Sequence, residues 1–269
     1  MNTEKLILTG LLTALIAVTT GVIAIPVPFT NGYVHPGDSM IFMAVLILGR
    51  RRGALAAGLG SAIADSLLGY FIWAPFTLVI KAGMAFVAGS IIEKCIEKCA
   101  EKRRNLVASC AFVVALWFAF NAAVGGIVLY AANADATSFA AALGADAGAQ
   151  PLSSVVTAIE TRLMAAALLI PAALLLIAVT LRRKENISVP LGHIVGMTGG
   201  GLFMVFGYYI AGGLIYGNFV AAAFSIPANI AQFAGGFLIA SLLSAALQNT
   251  FAKRYFIYGA KKAEAGKAL

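Results

Sequence analysis

Ionisable side chains inside apolar runs mark where this chain could bind or move something. Asp38, Asp65 and Lys81 all lie within residues 34–89, a stretch otherwise rich in Leu, Ile, Ala, Gly and Phe. A charge at bilayer depth costs about 2.5 kcal/mol or more, so such groups face a cavity or one another. His35, Tyr70 and Trp73 stand in the same stretch, while Tyr209, Asn229 and Gln232 come far downstream. With the apolar runs folded as helices, all of these gather toward one end of the bundle. Aromatic faces can stack on a flat ring, and amides and charges can bond its heteroatoms, which describes a pocket for a small, polar, planar solute. No nucleophile–base pair, histidine metal cluster or GxxxxGK[ST] phosphate loop accompanies them. The chemistry indicated is binding without catalysis, cofactor or metal.

Helix rise refines this. Asp65 precedes Trp73 by eight residues and Lys81 follows Pro75 by six, so at 1.5 Å per residue they sit roughly 12 and 9 Å below the turn between their helices. Similar depth on antiparallel neighbours predicts an intramembrane Asp65–Lys81 pair. Asp38 has two readings, a cap on the helix that follows it and a ligand contact. Asn229 and Gln232, three apart on one helical face, bond either neighbouring helices or a polar ligand.

Composition sets the surroundings. The chain is 61% hydrophobic and 11% charged over 269 residues, far from the balance of a soluble domain. At about 20 residues per crossing, it holds about eight helices and little else. We therefore expect an all-α integral membrane protein with spans near 6–25, 38–49, 53–70, 76–92, 106–132, 155–181, 192–216 and 227–248. The net charge of +8 is read through the positive-inside rule rather than as a nucleic-acid surface. With both termini cytoplasmic, every Lys and Arg except Lys81 and Arg162 falls in an inner loop or tail. Those inner segments include Arg50–Arg52, the charged connection 94–104, and the basic tail 249–269. Cys95 and Cys99 have no further ligands nearby for a metal. Gly10, Ala14 and Ala17 give the first helix a small-residue face, suited to close approach by another helix inside or outside this chain.

The order of the pieces then carries a resemblance. GDSMIFMAVLILGRRRGALAAGLGSAIADSLLGY and APFTLVIKAGMAFVAG, followed much later by MVFGYYIAGGLIYG and SIPANIAQFAGG, resemble the substrate-binding (S) components of energy-coupling factor (ECF) transporters, and are most similar to the riboflavin-type group. The resemblance covers residues 1–93 and 190–248. It implies a six-helix core in a bacterial cytoplasmic membrane that captures a vitamin or vitamin precursor outside. It also implies partnership with a transmembrane coupling protein and two ATPase subunits. The family's partner-contact face would fall on Gly10, Ala14 and Ala17. Its binding site would draw on the first outer loop and later helices, favouring Asn229, Gln232 and Tyr209, with Lys81, Asp38, Trp73, Asp65 and His35 as further candidates. Residues 105–181, with an outer loop at 133–154, read as an inserted two-helix hairpin that the family does not explain. Two other classes compete: a stand-alone secondary transporter using Asp65 and Lys81 as a proton relay, and a non-transporting membrane scaffold.

Overall fold

Glycine decides where the second long apolar run folds back. In the computed structural model, Gly49 has φ 78° and ψ 179°, a backbone region essentially closed to residues with a Cβ. It breaks helix α2 (Gly37–Leu67) into limbs 37–48 and 50–67. The limbs coincide in position with the two helical runs expected on either side of Arg50–Arg52. The model describes residues 3–27, 32–99, 191–217, 219–223, 225–248 and 250–257, with scattered positions between 115 and 161. The expected spans 106–132 and 155–181, the loop 133–154, and the end of the tail lie outside these.

Helix α1 (Thr3–Val22) leads into a two-stranded ribbon, β1 (Ile25–Val27) and β2 (Gly32–Val34). The strands are antiparallel, with Pro26 opposite Tyr33. The sequence required only that this proline-rich segment not be helical. The ribbon follows because two short extended arms satisfy each other's backbone groups. After α2 come α3 (Ala74–Cys99), α4 (Leu191–Tyr216), the short α5 (Phe219–Ala223) and α6 (Ser225–Gln248). Pro227 falls in the first turn of α6, where its missing N–H leaves nothing unsatisfied. Among the described residues four helices, α1, α3, α4 and α6, are long and apolar enough to cross a membrane.

Packing runs α1 on α2, α2 on α3, α3 on α4, and α6 against both α2 and α4. Glycines set how closely these approach. A Cβ on Gly60 would lie 2.6 Å from the Thr13 carbonyl of α1, and one on Gly200 would lie 2.6 Å from the Met84 carbonyl of α3. Such contacts give lipid-embedded helices dispersion gains that lipid tails do not supply. The outside is correspondingly apolar, with Leu55, Leu67, Val79, Phe206 and Leu242 exposed. At one end of the bundle Arg50 pairs with Glu93 at 3.1 Å and lies over the Phe86 ring. The ribbon and the α2–α3 turn occupy the other end.

Gly200→Leu should destabilise the bundle by roughly 1–3 kcal/mol, read as earlier thermal unfolding in detergent. Gly235→Ala, where an added Cβ meets nothing within 4 Å, should leave the transition unchanged.

Candidate functional site

Lys81, on α3, is fully buried. Its ammonium donates to Asp38 Oδ1, lies 2.9 Å from the Met204 sulfur of α4, and sits 5.4 Å from the centre of the Tyr208 ring. The expected Asp65–Lys81 pair is therefore corrected to Asp38–Lys81. Rise along a helix gives depth but not azimuth, and the direction of Lys81 is set by how α3 rotates against α2. The reading of Asp38 as a cap is corrected too. Asp38 lies inside the first turn of α2, whose N-terminal boundary residue, Pro36, makes no side-chain cap. Its carboxylate faces inward, with Oδ2 accepting from Gln232 Nε2 at 3.0 Å.

Gln232 continues the network. Its Oε1 accepts the His35 backbone N–H at 3.2 Å, and His35 Nδ1 accepts the Gly37 N–H at 3.1 Å. Thus α3, α2, α6 and the end of the ribbon meet in one buried chain of hydrogen bonds. A Cβ on Gly236 would fall 2.7 Å from Asp38 Cβ, so α6 reaches this point only because that residue is glycine. Burial, with the Lys81 charge nearby, holds the His35 imidazole down at about 3, against an ordinary 6.5.

Above this floor lies a cavity with about 580 Å³ of empty space including its open mouth. Tyr33 and His35 reach it from the ribbon, Asp65, Tyr70 and Trp73 from α2 and the turn, and Thr77 from α3. Tyr208, Gly212 and Tyr216 come from α4, and Ser225, Asn229 and Gln232 from α6. Asp65, only 4% exposed, accepts from the Tyr33 hydroxyl at 2.6 Å. Tyr208 donates to Thr77 at 3.2 Å, and the Thr77 hydroxyl stands beside the Asp65 carboxylate. Rings pack around the space: Tyr33 with Tyr70 at 4.8 Å, and Trp73 with Tyr208 and with Tyr216, each at 6.0 Å. Burial together with Asp65 pushes the Tyr33 phenol up from its usual range, so it stays protonated and able to donate.

Of the expected site residues, His35, Asp65, Trp73, Asn229 and Gln232 line the cavity. Asp38 and Lys81 form the layer beneath. Tyr209 is outside, edge-on to Phe219 of α5 at 5.8 Å. Its neighbour Tyr208 takes the inner place, because one helical step rotates a side chain by about 100°. A signal was available: Tyr208, Gly212 and Tyr216 recur every four residues and so share a face. Tyr33, Thr77 and Ser225 carried no comparable signal. The first helix presents Gly10 and Ala14 outward and exposed, with Ala17 half-buried.

Lys81→Met or Asp38→Asn alone should cost about 3–5 kcal/mol, because each leaves one buried polar group without its partner. Combining Asp38→Leu with Lys81→Met should recover part of that loss in denaturant titrations. The depressed His35 value makes its contribution complete above pH 6.5, and progressively lost as pH falls from 6.5 toward 3. The melting temperature should decline across that window, and His35→Gln should flatten the decline.

The sequence model of the family described as "ECF-type riboflavin transporter, S component" matches residues 1–171 and 162–249. A protein of Pyrococcus woesei described as "Uncharacterized protein in gap 3'region" is 43% identical over 74 residues, covering 28% of this chain and 49% of that protein. The chain thus spans about half the length of this curated relative. No solved structure matches the chain. With the family match running through both the ribbon–α2–α3 unit and the α4–α6 unit that enclose the cavity, the chain belongs to the multi-pass membrane family of ECF-type riboflavin transporter S components.

Proposed function

We propose that this chain is the membrane-embedded binding subunit for uptake of a flat, heteroaromatic vitamin or vitamin precursor. The observation that carries the reading is the cavity at the end of the bundle opposite Arg50–Arg52, walled by Tyr33, Tyr70, Trp73, Tyr208 and Tyr216 and edged by Asp65, Asn229 and Gln232. Rings recognise a planar solute by its faces, and the polar groups recognise its edge. The basic turn at Arg50–Arg52 faces the cytoplasm on this reading, so the cavity opens outward, toward the solute it captures. The relay reading has less support, since Lys81 is held by Asp38 and not by Asp65.

Energy for uptake comes, on this proposal, from a transmembrane coupling protein driven by two ATPase subunits. The outward Gly10 and Ala14 of α1 favour this: an added Cβ on Gly10 meets nothing within 4 Å, and small residues let a partner helix approach to backbone contact.

Titration of detergent-purified protein with riboflavin, pyridoxine, hydroxymethylpyrimidine, thiamine and pantothenate, followed by calorimetry, tests the binding role. A ring-containing member should bind below micromolar concentrations while ringless pantothenate does not; failure of all five would remove the vitamin reading. Gly10→Leu with Ala14→Leu should keep ligand affinity within about two-fold yet abolish co-purification with the coupling module. Co-purification at the wild-type level would place the partner contact elsewhere.

A further inference from the structure

Resting on the binding role above, we infer that the cavity selects a positively charged heteroaromatic ring over a neutral one. Three features point the same way. The first is a count of charge. Among the described residues at this end of the bundle, Asp38 and Asp65 are the carboxylates and Lys81 is the only cation, already engaged by Asp38. His35 is neutral at physiological pH, so Asp65 faces the cavity without a countercharge of its own.

The second feature is an unfilled valence. Asp65 Oδ1 takes the Tyr33 hydroxyl, but Oδ2 is buried and receives no well-formed hydrogen bond. A buried acceptor left open costs free energy that a ligand can recover by supplying N–H or positive charge there. Trp73 Nε1, lining the same cavity, is likewise buried without an acceptor. The ligand thus meets one demand for a positive edge and one for an acceptor such as a hydroxyl, carbonyl or ring nitrogen.

The third is the wall. Tyr33, Tyr70, Trp73 and Tyr208 supply π-faces, whose quadrupoles attract cations, most strongly where water is excluded. Tyr208 lines the cavity with the Lys81 ammonium 5.4 Å from the centre of its ring. A neutral ring would gain stacking from this wall, while a cationic ring gains stacking and an ion pair with the Asp65 carboxylate, whose ionised form it favours.

Matched probes test this directly. Affinities of wild-type protein are measured for 1-methylnicotinamide and nicotinamide, which differ by one methyl group and one charge, and for thiamine against riboflavin. The cationic member of the matched pair should bind about ten-fold or more tightly, and thiamine should outrank riboflavin. Asp65→Asn should erase the cation preference, with thermal stability within a few degrees of wild type, and Trp73→Phe should weaken both members of the pair equally. Equal or tighter binding of the neutral members overturns the inference while leaving the vitamin-binding role intact. So does an Asp65→Asn variant that keeps the preference. If none of the four compounds binds, the inference falls, while the vitamin-binding role is decided by the five-compound titration. Should Asp65→Asn not fold, the wild-type comparison alone decides.

Discussion

Removing two opposite charges from water is worthwhile only if each is closely paired and its remaining hydrogen-bonding capacity is filled. The Asp38–Lys81 pair meets both conditions, and much of the bundle is arranged around it. Lys81 comes from α3, Asp38 from the first turn of α2, and Gln232 from α6, where it occupies the second carboxylate oxygen. Because Gln232 also holds the His35 backbone, the ribbon at the mouth of the cavity is tied to the same buried centre. Four elements, α6 lying far downstream of the other three, therefore share one set of hydrogen bonds. Displacing α2, α3 or α6 leaves a buried charge short of a partner.

That centre also divides the polar residues into two classes. Asp38 and Lys81 neutralise each other beneath the cavity floor, whereas Asp65 turns to Tyr33 and to the cavity itself. The depth of Asp65 and Lys81 made a direct pair look natural. The ribbon supplies the competing partner, since it folds back over the α2–α3 turn and delivers a phenol hydroxyl to a carboxylate that would otherwise be orphaned. What looked like one Asp65–Lys81 device is thus a buried Asp38–Lys81 pair and a separate carboxylate bonded to Tyr33. The aromatic walls follow from the same geometry, because the ribbon, the turn and α4 each bring rings to one end.

The two faces of α1 illustrate the division of labour in a membrane solvent. Leu12, Ile16 and Thr20 are buried against the bundle, while Gly10 and Ala14 point away from it. Lipid offers no hydrophobic gain for burying a large side chain, so close-packed small residues carry association there. The same logic operates inside the chain at Gly60, Gly200 and Gly236, where backbone or a functional side chain occupies the space of a missing Cβ.

Much was determined by the sequence alone, because it depends on local chemistry. The membrane class follows from composition, the four described helices of crossing length from the lengths of their apolar runs, and the break before Arg50–Arg52 from charge interrupting an apolar run. Gln232, Asn229, Asp65, Trp73 and His35 were legible as site candidates because polar groups in apolar runs are costly and need a reason. Tertiary structure alone decided who partners whom. Periodicity reports how deep a side chain lies, but not which way its helix is turned, so Lys81 went to Asp38, and Tyr208, not Tyr209, entered the cavity. Tyr33 was invisible for a further reason: its place depends on two three-residue strands pairing with each other, too short to leave a periodic signal.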